Sequence, residues 1–200
     1  MAQVVALVAF VLMAASLCDS KMTTTGSPTD FVRSSCSATR YPDLCFRCLA
    51  SYAPAVHHSA RHLARAALSV SADRARSASA YITQEAAAAS AGGSLREAGA
   101  VRDCLDNMAD SVDRLRQSAE EMGRVGRAGS ASFAWHMGNV RTWCSAALTD
   151  ENTCLDSLSE HGSAALRAAV RPKVLEVAQV TSNALALVDR VWSKKASNHN

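Results

Sequence analysis

Aromatic residues make up only 5 % of the 200-residue chain, and it contains four prolines. No segment alternates β-branched with polar residues, so a sheet has little support. There is no Lys/Arg block, and a formal net charge of +3 selects no polyanion, so no nucleic-acid partner is expected. Catalytic signatures are also missing: no GxSxG elbow, P-loop, HExxH or dinucleotide fingerprint occurs. His58 and His62 stand four apart and could share a metal on a helix. No third ligand lies near them, and a solvated polar face accounts for them. His136, His161 and His199 fall near helix ends or in the tail and mark no site. The chain is therefore expected not to be an enzyme and to need neither cofactor nor metal.

Only one long apolar run is present, AQVVALVAFVLMAASL at 2–17. It is short for a membrane span and is followed by Ser, Cys and Asp, which reads as a secretory signal peptide over 1–20. The absence of Lys or Arg before it leaves an uncleaved anchor as the alternative. After cleavage the protein is expected to be extracellular and free of the membrane. The six remaining cysteines, Cys36, Cys45, Cys48, Cys104, Cys144 and Cys154, then read as a disulfide framework rather than a zinc site, with fifteen connectivities open. Cys45-x-x-Cys48 has neither a βαβ context nor a second CxxC to support a redox or metal reading.

What the chain has in abundance is Ala, Leu and Ser in helical rhythm. Residues 21–29 are polar and form a lead-in. Asp30 is placed to cap a first short helix, and Pro42 to open a second, as proline suits a first turn. Cys36 and Cys45 flank the turn between them, giving a helical hairpin over 30–52. One long helix is expected over 54–91, with Val56, Ala60, Leu63, Ala67 and Val70 inward and Gly92-Gly93 as its stop. Ser94 and Glu97 fit a capping box for the next helix. Gly123–Ser130 reads as a loop. A third helix follows at Trp135–Glu160, with a bend expected near Thr149–Asn152 and Gly162 as its stop. Ala164–Trp192 is the fourth, which Pro172 must either open or kink. Long amphipathic helices with short turns imply an all-α, antiparallel up-down-up-down four-helix bundle over 53–194, within a domain of 30–194. The tail, 195–200, is expected to fray.

The second long helix has the sharpest pattern. Val101, Leu105, Met108, Val112, Leu115, Ala119 and Met122 alternate at steps of four and three. Asp106, Asp110 and Asp113 repeat the rhythm and form an acidic row beside that seam. A solvated face is one reading of the row, and a docking surface is the other. The segment TDENTCLD at 149–156 favours docking, because a bond between Cys154 and Cys104 would bring Thr153 and Asp156 beside Asp106 and Asp110.

SSCSATRYPDLC (34–45), DCLDNMADSVDRLRQS (103–118) and VRTWCSAALTDENTCLD (140–156) together resemble the plant invertase and pectin methylesterase inhibitors, and SNALALV (182–188) is similar to that family's last helix. The resemblance implies a disulfide-stabilised four-helix bundle with an N-terminal helical hairpin. It pairs Cys36 with Cys45 and Cys104 with Cys154, leaving Cys48 and Cys144 as buried thiols or a third bridge. The loop at Gly123–His136 is longer than the family pattern. The implied function is inhibition of pectin methylesterase by stoichiometric binding over its active-site cleft. The implied contacts fall on Asp106, Asp110, Asp113, Thr153 and Asp156. An inhibitor of cell-wall or vacuolar acid invertase is the alternative, although the Pro-Lys-Phe motif of that branch is missing and Arg171-Pro172-Lys173-Val174 lies in the wrong helix. A non-inhibitory extracellular helical module is the third reading. The expected species is a monomer acting in a 1:1 complex in the apoplast.

Overall fold

The computed structural model describes residues 26–89 and 94–197. The signal peptide, the Gly92-Gly93 stop and the last three residues of the tail lie outside the described residues. Helices α1 (Pro28–Cys36) and α2 (Pro42–Leu49) form the hairpin, followed by a 3₁₀ turn (Ala50–Tyr52) and a single helical turn, α3 (Ala53–Val56). The long helices are α4 (Ala60–Ala89), α5 (Leu95–Arg124), α6 (Ala131–His161) and α7 (Ala164–Ser197). Each long helix packs on two others, α4 on α5 and α7, and α6 on α5 and α7, which closes a four-helix ring. Among the described residues there is no strand.

Local chemistry explains most of the ends, and several differ from the sequence reading. Ser27, not Asp30, caps α1: its hydroxyl accepts from the Asp30 N–H, and the Asp30 carboxylate accepts from the Ser27 N–H at 2.9 Å. The Ser27 hydroxyl also donates to that carboxylate at 2.8 Å, and this bond, with the one from the Ser27 N–H, holds the Asp30 carboxyl below its ordinary value. Pro42 opens α2 as expected. The single helix expected over 54–91 is instead broken at His57 and His58, with φ of 46° and 59°. Two consecutive left-handed non-glycine residues store on the order of 1 kcal/mol or more each. The His58 ring meets the Gly26 carbonyl at 2.8 Å and packs against Phe31, which holds the break, and Ser59 then caps α4. His58 and His62 therefore do not share a helix.

Ser94 caps α5 through the Glu97 N–H, but the reciprocal half of the capping box is absent. Glu97 Oε1 instead accepts from the Ser163 hydroxyl at 2.7 Å, tying the start of α5 to the start of α7. Helix α6 begins at Ala131 under a Ser130 cap, four residues earlier than expected, and runs unbroken through Thr149–Asn152 to Gly162. Pro172 does not open α7; it lies inside the helix on an exposed face, where water can satisfy the carbonyl it leaves without a donor. The last helix also continues to Ser197 where a frayed tail was expected from 195.

The interior is built from small and medium side chains. Leu63, Ala64, Ala67, Leu68, Ala75 and Ile82 of α4 meet Met108, Leu115 and Met122 of α5, Met137, Val140 and Leu158 of α6, and Val170, Val174 and Val188 of α7. Alanine at so many α4 positions lets that helix approach its neighbours closely. The hairpin is tied to α7 by Asn183, whose side chain accepts from the Tyr41 N–H at 3.0 Å and donates to the Tyr41 carbonyl at 2.9 Å. Disulfides Cys36–Cys45 and Cys104–Cys154 close the hairpin and join α5 to α6, while Cys48 and Cys144 remain thiols. In a chain-entropy account the second, spanning 50 residues, contributes about 4 kcal/mol and the first about 3 kcal/mol.

Candidate partner-binding face

The antiparallel register of α5 and α6 is pinned at several heights. Cys104 bonds Cys154, Arg114 Nε donates to Asp150 at 2.7 Å, and Glu121 accepts from His136 Nδ1 at 2.8 Å. Asp106 and Asp110 lie between the first two of these ties on α5, and Thr153 lies between them on α6.

Asp106, Asp110 and Asp113 are all exposed. At 100° per residue they span an arc of about 60°, whose middle points roughly 170° away from Met108 and Leu115. The row is therefore the outer crest of α5, not a strip beside the seam. The inward face is wider than the apolar seam, because Cys104, Ser111, Ser118 and Glu121 are also buried and extend it toward α6. On α6, Thr153 and Asp156 are exposed on the outward side, and the Thr153 hydroxyl donates to the Thr149 carbonyl at 2.9 Å. The two crests lie side by side on adjacent helices.

Arg114 and Asp150 fill the valley between them. Arg114 bonds Asp150 and also reaches Asp110 at 3.5 Å, so one guanidinium serves a carboxylate from each helix. Burial is the largest influence on Asp150 and raises its carboxyl, with Arg114 opposing it. Asp110 is thus partly committed within the protein, whereas no ion pair engages Asp106, Asp113 or Asp156 among the described residues. Sequence reasoning missed Arg114 and Asp150. The i,i+4 spacing of Asp110 and Arg114 was a visible signal for one contact, but nothing local announced the bond across helices.

Beneath the face lies Glu151, 0 % exposed, with its Oε1 accepting from the Ser111 hydroxyl at 2.7 Å and the Thr181 hydroxyl at 2.8 Å. Among the described residues no cluster of three or more His, Cys, Asp or Glu could hold a metal, and no helix is long and apolar enough to cross a membrane. The polar side chains face outward from a convex pair of helices. That arrangement can dock on a partner.

The described residues form a disulfide-linked helical bundle with an outward polar face. The chain belongs to the plant invertase/pectin methylesterase inhibitor family, whose profile matches residues 30–187. It is 44 % identical over 172 residues to pectinesterase inhibitor 9 of Arabidopsis thaliana, a match covering 83 % of this chain and 82 % of that one. It is 39 % identical to a 21 kDa protein of Daucus carota, over 82 % of this chain and 84 % of the relative. Its fold is similar to the crystal structure of a mutant form of a pectin methylesterase inhibitor from Arabidopsis, with TM-score 0.60 and 19 % identity, over 82 % of this chain and 97 % of the other. The family is one of inhibitors, and this chain is not an enzyme.

Proposed function

We propose that this protein is a stoichiometric inhibitor of pectin methylesterase that lays the outer crests of α5 and α6 over the enzyme's active-site cleft. The observation that carries the choice of enzyme is the 44 % identity to a relative named pectinesterase inhibitor 9. The contacts are assigned to Asp106, Asp110, Asp113, Thr153 and Asp156. Exposure and freedom from internal ion pairs support Asp106, Asp113 and Asp156 most directly.

The physical case is one of preorganisation. Two helices fixed by a disulfide and by the Arg114 bridge lose little conformational freedom on docking, which favours affinity. Exposed carboxylates steer the protein toward a basic surface and fix its register there. The working species is a monomer in a 1:1 complex, secreted to the apoplast.

Titrating a plant pectin methylesterase with the purified protein tests this reading. Activity should fall to a plateau near equimolar inhibitor, and full activity at several-fold excess from pH 5 to pH 7 would overturn it. Acid invertase titrated in parallel should stay active; loss of its activity instead would transfer the assignment to the invertase branch. The double variant Asp106→Lys with Asp113→Lys should keep its helical content and weaken inhibition at least tenfold. Unchanged inhibition would return the row to an ordinary solvated face.

A further inference from the structure

The interior of the bundle contains a carboxyl group with no cation beside it. Glu151 is completely buried on α6, its Oε1 takes both available hydroxyl donors, and its Oε2 has no partner. The three hydrogen-bonding residues come from three helices: Ser111 from α5, Glu151 from α6 and Thr181 from α7.

Among the described residues no cation is paired with it to balance a negative charge. On α6 the neighbouring charge is Asp150, another carboxylate, which is engaged by Arg114 at the surface, and Cys144, two turns earlier, is a buried thiol. From α5 come Ser111 and, one turn outward, Arg114, which is committed to Asp150 and Asp110. On α7 Thr181 faces the group, Asn183 is committed to Tyr41, and Asp189 is paired with Arg141 further along. Helix α4, diagonally opposite, places no buried charge in the interior among the described residues. An ionised carboxylate there would be desolvated with half its hydrogen-bonding capacity unused, which strongly disfavours the charged form.

We propose that Glu151, seated between Ser111 and Thr181 with Oε2 unpaired, is a proton-dependent lock: its neutral acid holds α5, α6 and α7 together, and loss of its proton loosens their packing. Burial pushes the carboxyl up to about 8, with Asp150 adding to the rise and the two hydroxyls opposing it. The native state therefore holds a proton that the unfolded chain, with an ordinary glutamate near 4.5, gives up. The stabilisation is complete below about pH 4.5 and drains away as pH rises through about 8. The lock is a property of the free protein and holds whether or not the inhibitor reading does.

The test is carbon-13 NMR of side-chain carboxyls in the purified, uniformly labelled protein, from pH 4 to pH 9. One glutamate carboxyl should keep its protonated shift at pH 6.5, long after the exposed ones have ionised, and the same signal should vanish in Glu151→Gln. If every glutamate carboxyl has ionised by pH 6, the lock is overturned. Urea titrations supply the second reading: the wild-type midpoint should fall between pH 5 and pH 8.5, and that fall should shrink by at least half in Glu151→Gln. An identical fall in both proteins would overturn the proposal, and the NMR reading stands on the wild type should the variant not fold.

Discussion

Glu121 and Glu151 are two buried glutamates on the same pair of helices, and they resolve burial in opposite ways. Glu121, 4 % exposed near the end of α5, accepts from Asn139 at 2.9 Å and His136 at 2.8 Å and pairs with Arg124 at 3.1 Å. Those partners, Asn139 and His136 foremost, hold its carboxyl below the usual glutamate value despite burial. Glu151 has two hydroxyls and no cation, and desolvation raises it to about 8. Burial alone therefore does not decide the charge of an acid. The donors arriving from neighbouring helices decide it, and each site contributes stability at a different end of the pH scale.

The comparison breaks most visibly if Glu151 is removed. Glu151→Ala strands the Ser111 and Thr181 hydroxyls and opens a cavity, so unfolding at pH 5 should become easier by about 3 kcal/mol. Glu151→Gln keeps the acceptor oxygen and the volume, and should differ from wild type by about 1 kcal/mol or less at that pH. Urea denaturation followed by circular dichroism reads both. If the alanine variant were as stable as the glutamine variant, the bonds to Ser111 and Thr181 would carry no weight.

Glu121 should show the reverse pH dependence. Its carboxyl lies below 4.5, so its contribution is present above that value and fades as pH falls through the lower native value. Glu121→Gln should therefore lose about 1–2 kcal/mol at pH 7 through its weakened bonds to His136, Asn139 and Arg124. The gap to wild type should narrow as pH falls through the lowered native value, where the glutamate takes up its proton and becomes neutral like the glutamine. A gap that widened in acid would reverse the assignment of charge at this site. Between pH 4.5 and 8 the contribution of Glu151 falls by at most about 1.4 kcal/mol per pH unit, so this site favours the acid side of neutrality.

The contrast also shows what the sequence could and could not carry. Helix periodicity was legible because the core positions of α4 to α7 are mostly aliphatic. The three motif stretches made the cysteine pairing and the family legible as well. The break at His57–His58 was not, because no glycine or proline marks it and it is held by Gly26 and Phe31 from another element. The full inward face of α5 is not legible either, because Cys104, Ser111, Ser118 and Glu121 line its α6 side, and an apolar pattern passes over them. Glu97 reads locally as half of a capping box, yet its carboxylate bonds Ser163, distant in sequence. Asp150 and Glu151 are adjacent letters with different fates, one bonded to arginine at the surface and the other sealed inside. The period of α6 does separate them, since Met137, Val140, Cys144, Ala147, Cys154 and Leu158 put position 151 in the inward stripe and 150 outside it. A charged letter there is passed over by an apolar pattern.

A third acid places the comparison on the docking face. Asp150 is half-buried like neither glutamate, and Arg114 is its single strong partner. Arg114→Met should raise the Asp150 carboxyl further and cost about 1 kcal/mol, since the pair is partly solvated. The effect should be larger at pH 7 than at pH 4, where Asp150 is increasingly protonated in both proteins. Thermal unfolding at the two pH values reads the difference, and equal shifts would mean that Arg114 acts through its aliphatic stem alone.

The smallest effect on stability is expected where the functional reading places most weight. Asp106 and Asp113 are exposed and outside every ion pair described, so Asp106→Asn and Asp113→Asn should each change unfolding free energy by less than about 0.5 kcal/mol. Each asparagine keeps the shape and one acceptor oxygen of the aspartate and removes only the charge. If the crest docks on a basic surface, each variant should weaken inhibition of pectin methylesterase, chiefly by slowing association, and the loss should fade as salt is raised. A change in dissociation alone, insensitive to salt, would mean that these side chains act by direct hydrogen bonding. No change in either rate would remove them from the interface while leaving the Glu121 and Glu151 contrast untouched.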